Sequence, residues 1–223
     1  MAELIRGLDA RRVAENAAEI REQIAAACAV AGRAAEDVEL LAAVKYVAPE
    51  ELPVLAEAGI RVLGENRAQE LVRKAADWDE AGLGAVTWDF IGHLQSRKVK
   101  VVAPLVRRIH SVASDSALRE LAKFTSPPEV LIEVNVAREE AKSGVLPEDL
   151  PAVLDRCTAP VVGLMTMPPL AERPEDNRRW FAALAELAAA HGLTELSMGT
   201  TQDFRVAVEE GATVVRIGTR LYR

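Results

Sequence analysis

The chain is poor in the residues that hold small or cross-linked folds together. Cysteine occurs only at positions 28 and 157, in ordinary apolar surroundings and without a CxxC pair. That excludes a disulfide framework and suits a reducing compartment. Histidine is nearly as scarce. His93, His110 and His191 have no ligand spacing among themselves or with cysteine, so no metal is expected. Aromatic residues make up only 4% of the chain, and Trp78, Trp88 and Trp180 read as packing residues rather than a stacking platform. No long hydrophobic run exists. The longest smooth one, Ile24–Ala31, is far short of the ~20 residues that cross a bilayer. Glu3, Arg6, Asp9, Arg11 and Arg12 interrupt any signal-peptide core, so no membrane association and a cytoplasmic location are expected. Positive charge is in deficit: 27 Lys and Arg stand against 34 Asp and Glu, which argues against a nucleic-acid partner. The local exception, Arg97, Lys98, Lys100, Arg107 and Arg108, reads first as a solvated helix face and second as an anion-binding or partner surface.

Hydrophobic residues account for 50% of the sequence and charged ones for 27%, the balance of a chain that folds rather than stays disordered. With 223 residues it can bury roughly 70% of its unfolded surface and needs no metal or disulfide to do so. The first element reads as a helix: Val13, Ala17, Ile20, Ile24, Ala27, Cys28 and Ala31 recur at three- and four-residue steps, and Gly32 closes it.

Eight short apolar runs follow: Val38–Val44, Arg61–Gly64, Thr87–Gly92, Arg108–Val112, Val130–Val136, Val161–Met165, Glu195–Met198 and Thr213–Gly218. Most lack strict alternation, as strands covered on both faces do. Helix signals separate them at Pro49–Ala58, Asn66–Asp77, Ser96–Val102, Ser114–Phe124, Pro147–Cys157, Arg173–His191 and Thr201–Glu210. Such repetition predicts parallel strands joined by right-handed crossovers. Eight units predict a single-domain (β/α)8 TIM-like barrel, residues 38–219, with an extra N-terminal helix in residues 1–33. A doubly wound sheet is second, because its GxGxxG after the first strand is missing.

In a barrel the chemistry gathers where strands hand over to helices at the carboxyl face. Lys45 ends the apolar strand Leu40-Leu-Ala-Ala-Val44. A lysine turned into the barrel mouth favours its neutral amine, the form that condenses with an aldehyde; a lysine that snorkels past the rim to water is the alternative. Ser197-Met-Gly-Thr-Thr201 and Arg216-Ile-Gly-Thr219 end the last two strands in glycine and threonine. Their amides and hydroxyls can hold a phosphate, or can serve simply as caps and turns. Arg216 lies on the same strand face as Gly218 and requires a partner, either a ring nitrogen in the mouth or a carboxylate such as Glu133 or Glu195. A Ser/His/Asp triad is not excluded by spacing, but no G-x-S-x-G elbow exists.

At these positions the sequence resembles the pyridoxal phosphate (PLP) homeostasis proteins, barrels similar to the amino-terminal domain of alanine racemase. The resemblance rests on Leu40-Leu-Ala-Ala-Val-Lys45, Gly64-Glu-Asn66, Phe90-Ile-Gly-His-Leu-Gln95 with Lys98, and Leu131-Ile-Glu-Val-Asn135. It continues through Lys142-Ser-Gly144, Gly163-Leu-Met-Thr166, Leu196-Ser-Met-Gly199 and Val215-Arg-Ile-Gly-Thr219. It implies a PLP-binding barrel with PLP as cofactor, joined to Lys45 as an aldimine. It implies that Thr200, Thr201, Gly218 and Thr219 hold the phosphate, that Arg216 faces the pyridine nitrogen, and that Asn66 and Met165 line the pocket. The chain departs from the usual family pattern at Val44, Asp89, Arg97 and Thr200-Thr201, where serine, histidine, asparagine and Met-Ser are common.

A guanidinium hardly protonates a ring nitrogen, and an unprotonated ring is a weak electron sink. The expected function is therefore a PLP carrier or regulator in vitamin B6 and amino-acid homeostasis without efficient turnover, as a monomer or weak homodimer. Alternatives are a weak PLP-dependent amino-acid racemase and an aldolase-like barrel that uses no PLP. Tyr46 and Tyr222 are the only tyrosines available as a second acid/base, and Tyr46 is expected to face away from Lys45 by strand alternation.

Overall fold

The run Glu39-Leu-Leu-Ala-Ala43 forms strand β1, hidden on both faces because the barrel lumen lies on one side and a helical shell on the other. The computed structural model describes residues 4–140 and 142–223. Before β1 comes helix α1, Ala10–Val30, with Asp9 as its cap: the carboxylate accepts the Arg12 amide at 2.8 Å. Strand–helix units then alternate: α2 Leu52–Glu57, β2 Val62–Glu65, α3 Ala68–Glu80, β3 Thr87–Phe90, α4 Ser96–Val102, β4 Arg108–Val112 and α5 Asp115–Leu121. They continue through β5 Glu129–Glu133, α6 Leu150–Arg156, β6 Val161–Met165, α7 Arg178–Ala190, β7 Glu195–Thr200, α8 Phe204–Glu209, β8 Val214–Ile217 and α9 Thr219–Tyr222. All pairings are parallel, and β8 returns to β1 through Glu39↔Val214 to Ala42↔Ile217, closing an eight-stranded barrel.

The expected (β/α)8 barrel is therefore the fold. The first helix is less of an appendage than its sequence position suggests. Val13, Ala17, Ile20, Ile24, Ala27 and Cys28 are its buried stripe, and it packs against α2, α8 and α9. It thereby fills the place in the outer ring that α9, only four residues long, cannot fill. Fully burying side chains such as Ile20 and Ile24 contributes about 1.5–3 kcal/mol each. Trp78 and Trp88 meet edge to face at 6.3 Å between centroids beneath the shell, in the packing role expected of them.

The basic cluster divides. Arg97, Lys98 and Lys100 lie on and beside the outer face of α4. Arg107 and Arg108 instead reach across the amino end of the barrel. Arg107 bonds Glu39 (2.9 and 2.5 Å) and Asp89 (3.1 and 2.6 Å). Arg108 bonds Glu129 at 2.6 Å and Glu195 at 3.0 Å. Ion pairs thus close one end of the lumen. Among the described residues, no group of three or more His, Cys, Asp or Glu side chains could hold a metal ion, and no helix is long and apolar enough to cross a membrane.

Candidate functional site

Loops after the strands' carboxyl ends frame a cavity of about 500 Å³. Its walls are Ala43, Lys45, Tyr46, Asn66, Ile91, Met167, Thr200, Thr201, Gln202, Arg216, Gly218 and Thr219. Seven residues singled out in the sequence thus meet in one place: Lys45, Asn66, Thr200, Thr201, Arg216, Gly218 and Thr219. Met165, the last residue of β6, is buried and is not part of the cavity wall; Met167, two residues further along the chain, is.

Lys45 follows β1 by two residues, where the chain has left the sheet and turns. Its side chain is half-buried, and among the described residues its Nζ has no hydrogen-bond or ion-pair partner. Tyr46 is not turned away as strand alternation predicts: its ring centroid lies 5.1 Å from Lys45 Nζ, on the cavity side. Alternation ends with β1 at Ala43, so the rule does not reach this pair. Tyr222, by contrast, sits behind the strand and donates to the Ala43 carbonyl at 3.3 Å, and burial pushes its phenol well above the usual range. Beneath Lys45, the fully buried Lys74 ammonium donates to the Val44 carbonyl at 2.6 Å and to Glu65 at 2.7 Å. Glu65 also accepts the amides of Asn66 (2.7 Å) and Arg67 (3.2 Å), so one ion pair supports both the lysine and the asparagine segments.

Asn66 Oδ1 is buried and, among the described residues, has no hydrogen-bond partner. Such an atom is costly unless a ligand or water satisfies it. Gly92 packs behind Asn66: a Cβ there would come within 2.0 Å of the Asn66 carbonyl, so only glycine permits this approach.

Arg216 lines the same cavity from β8, the strand that pairs with β1. Neither of the carboxylates considered for it is its partner. Glu195 pairs with Arg108, and Glu133 accepts the Ser143 hydroxyl at 2.7 Å. Arg216 donates to the Ser197 carbonyl (2.6 Å) and hydroxyl (2.5 Å), to the Thr166 carbonyl (2.9 Å) and to Met167 Sδ (3.0 Å). Burial pushes the guanidinium down to about 10, against the pull of the more distant Asp203 and Glu133 carboxylates. The threonines are tied in place too. The Thr200 amide and hydroxyl both go to Asp203, at 2.7 and 3.1 Å, and Thr201 Oγ1 accepts the Gly218 amide at 3.2 Å. Gly199, at φ 88°, lets the chain turn from β7 into this segment.

An unpaired amine, an orphaned carbonyl oxygen, a buried guanidinium and two Gly/Thr turns around one cavity suit a small anionic ligand with an aldehyde and a ring acceptor. A phosphorylated pyridine aldehyde has all three features, so the donor set fits PLP. Lys45 would meet the aldehyde, the Thr200–Thr201 and Gly218–Thr219 turns the phosphate, and Arg216 the ring nitrogen.

Comparison with known proteins points the same way. Residues 8–223 match the family model described as alanine racemase, N-terminal domain. The pyridoxal phosphate homeostasis protein of Aquifex aeolicus is 41% identical over 222 residues, covering 93% of this chain and 96% of the relative. Its namesake in Pseudomonas aeruginosa is 38% identical over 221 residues, covering 94% of each. Among solved structures, the PipY protein of Synechococcus elongatus with PLP bound superimposes with a TM-score of 0.77 at 30% identity, covering 95% of this chain and 100% of that one. The alanine racemase of Corynebacterium glutamicum, at 21% identity and a TM-score of 0.62, shares the fold; the match covers 96% of this chain and 61% of the racemase. The chain belongs to the alanine racemase N-terminal domain family and, within it, to the pyridoxal phosphate homeostasis proteins.

Proposed function

We propose that the protein binds PLP reversibly through Lys45 and serves as a PLP carrier or regulator in vitamin B6 and amino-acid homeostasis rather than as an efficient enzyme. The single observation that carries the reading is that the unpaired Lys45 amine and the buried Arg216 guanidinium line one cavity. Bound PLP supplies an electrophilic aldehyde. Lys45 would be the residue that holds the cofactor at that aldehyde, its amine serving as the nucleophile. Arg216 would donate to the ring nitrogen without protonating it, which keeps the ring a poor electron sink and supports storage over turnover.

The test is the visible spectrum of the purified chain with PLP, before and after borohydride. A band near 410–430 nm, lost on reduction to leave a pyridoxyl adduct on Lys45, is expected from PLP chemistry. A preparation that shows no aldimine band in excess PLP, and no pyridoxyl adduct on Lys45 after borohydride, refutes the reading. Loss of the Thr200 and Thr201 hydroxyls together should weaken PLP retention about tenfold or more, since hydrogen bonds to a charged group are worth about 1.5–3 kcal/mol. Unchanged affinity in the double alanine variant would remove these threonines from the phosphate role.

One observation favours a second reading, weak amino-acid racemisation. Tyr46 shares the cavity with Lys45 and could carry a proton on the face that Lys45 does not serve. Racemisation of alanine that disappears in Tyr46→Phe while the visible band persists would establish it, and none above a Lys45→Ala control would dismiss it.

A further inference from the structure

The barrel lumen holds a continuous polar chain that the ligand contacts alone do not require. From Arg216 it passes to Ser197 Oγ (2.5 Å), then to His110 Nδ1 (2.8 Å), and from His110 Nε2 to Asp89 Oδ2 (3.1 Å). Arg107 bonds the same carboxylate and links it to Glu39 at the far end of the barrel. Ser197, His110 and Asp89 are all 0% exposed. The Ser197–His110 bond crosses the lumen, since β4 and β7 are not neighbours in the sheet.

Ser197, His110 and Asp89 form the connectivity of a hydrolytic triad, but no substrate can reach Ser197 Oγ, which is capped by Arg216. The direction of each bond shows another use. Burial alone would raise the Asp89 carboxyl, yet the hydrogen bonds from His110 and Arg107 outweigh it and hold it below the usual value, so it is a carboxylate. Burial holds His110 below its ordinary value, against the hydrogen bond to Asp89 that favours charge, so the ring is neutral. A carboxylate only accepts, so the single ring proton sits on Nε2 and leaves Nδ1 as an acceptor. Ser197 must then direct its hydroxyl proton at His110 and turn a lone pair to Arg216. Without that lock the hydroxyl can rotate its proton toward the guanidinium and repel it.

We propose that Asp89, His110 and Ser197 are positioning residues that aim Arg216 at an unprotonated ring nitrogen and so set the site's preference for pyridine over carbocyclic aldehydes. The inference rests on the PLP reading above and deepens it.

The experiment compares dissociation constants of the full chain for PLP and for 1-deaza-PLP, whose ring carries carbon in place of nitrogen. The wild type should favour PLP about tenfold or more, the strength of one charge-assisted hydrogen bond. Ser197→Ala and Asp89→Asn should lower that ratio at least several-fold, to about twofold or below, and Ser197→Thr, which keeps the hydroxyl, should restore it. A merely structural role would weaken both ligands together and leave the ratio unchanged. An unchanged ratio in Ser197→Ala, which removes a single oxygen and is the variant safest for folding, overturns the inference. So does a wild-type ratio near one. Absence of any Lys45-dependent band in the wild type would instead refute the PLP reading itself, so the two failures are distinguishable.

Discussion

Lys45→Ala is expected to abolish the aldimine band and to leave no pyridoxyl adduct after borohydride, with PLP affinity falling by about 100-fold or more as the covalent contribution disappears. The reasoning is geometric. Among the described residues, no other lysine lines the cavity. Lys74 lies directly beneath but is fully buried, and its ammonium is spent on Val44 and Glu65. Lys142 stands outside, bonded to the carbonyls of Met167 and Pro168 at 3.3 and 2.9 Å. The remaining contacts in the variant, through the threonine turns and Arg216, would still hold PLP weakly, with its aldehyde free. Peptide mapping of the reduced wild type checks the claim directly, and an adduct on Lys74 or Lys142 with Lys45 unmodified would disprove it.

The largest effect on stability is expected from Lys74→Ala. Both partners of the Lys74–Glu65 pair are 0% exposed, and removing one leaves a carboxylate buried without its cation. Losses of about 3–5 kcal/mol accompany such changes, a large share of the roughly 5–15 kcal/mol that keeps a domain folded. The Val44 carbonyl loses its donor as well, and Val44 is the residue before Lys45. Urea unfolding of the variant should show the deficit, and PLP affinity should drop beyond what the lost stability explains. The double change Lys74→Met with Glu65→Gln should recover part of the stability, because glutamine still accepts the Asn66 and Arg67 amides and no charge remains buried. A loss under 1 kcal/mol in Lys74→Ala would mean that water reaches Glu65 and that the pair is not a support.

The barrel was legible because eight β-branched and aliphatic runs repeat between helix signals. β4 and β6 coincide to the residue with their expected spans. β5 stops at Glu133 instead of Val136: Val134 still donates its amide to Met165 at 2.8 Å, but it then bridges Val145 as the chain leaves the sheet. Helices beginning at Pro49, Pro147 and Pro174 open as 3-10 turns, so their regular portions start later than the prolines suggest. At the site, strand ends were readable as positions, because a polar residue after an apolar strand stands out. Contacts across the lumen were not. His110 and Ser197 are 87 residues apart, and nothing local in either strand announces the other. The pairing of Tyr46 with Lys45 was hidden for a different reason: a period of two holds only while the backbone remains extended.

The ion pairs of Arg107 and Arg108 with Glu39, Asp89, Glu129 and Glu195 make the barrel a blind alley. Whatever enters at the carboxyl rim must leave by the same door. Delivery and collection therefore compete for one doorway, and an acceptor that drew its supply directly from this chain would have to approach over Tyr46, Met167, Gln202 and Thr219, the exposed residues of the cavity wall.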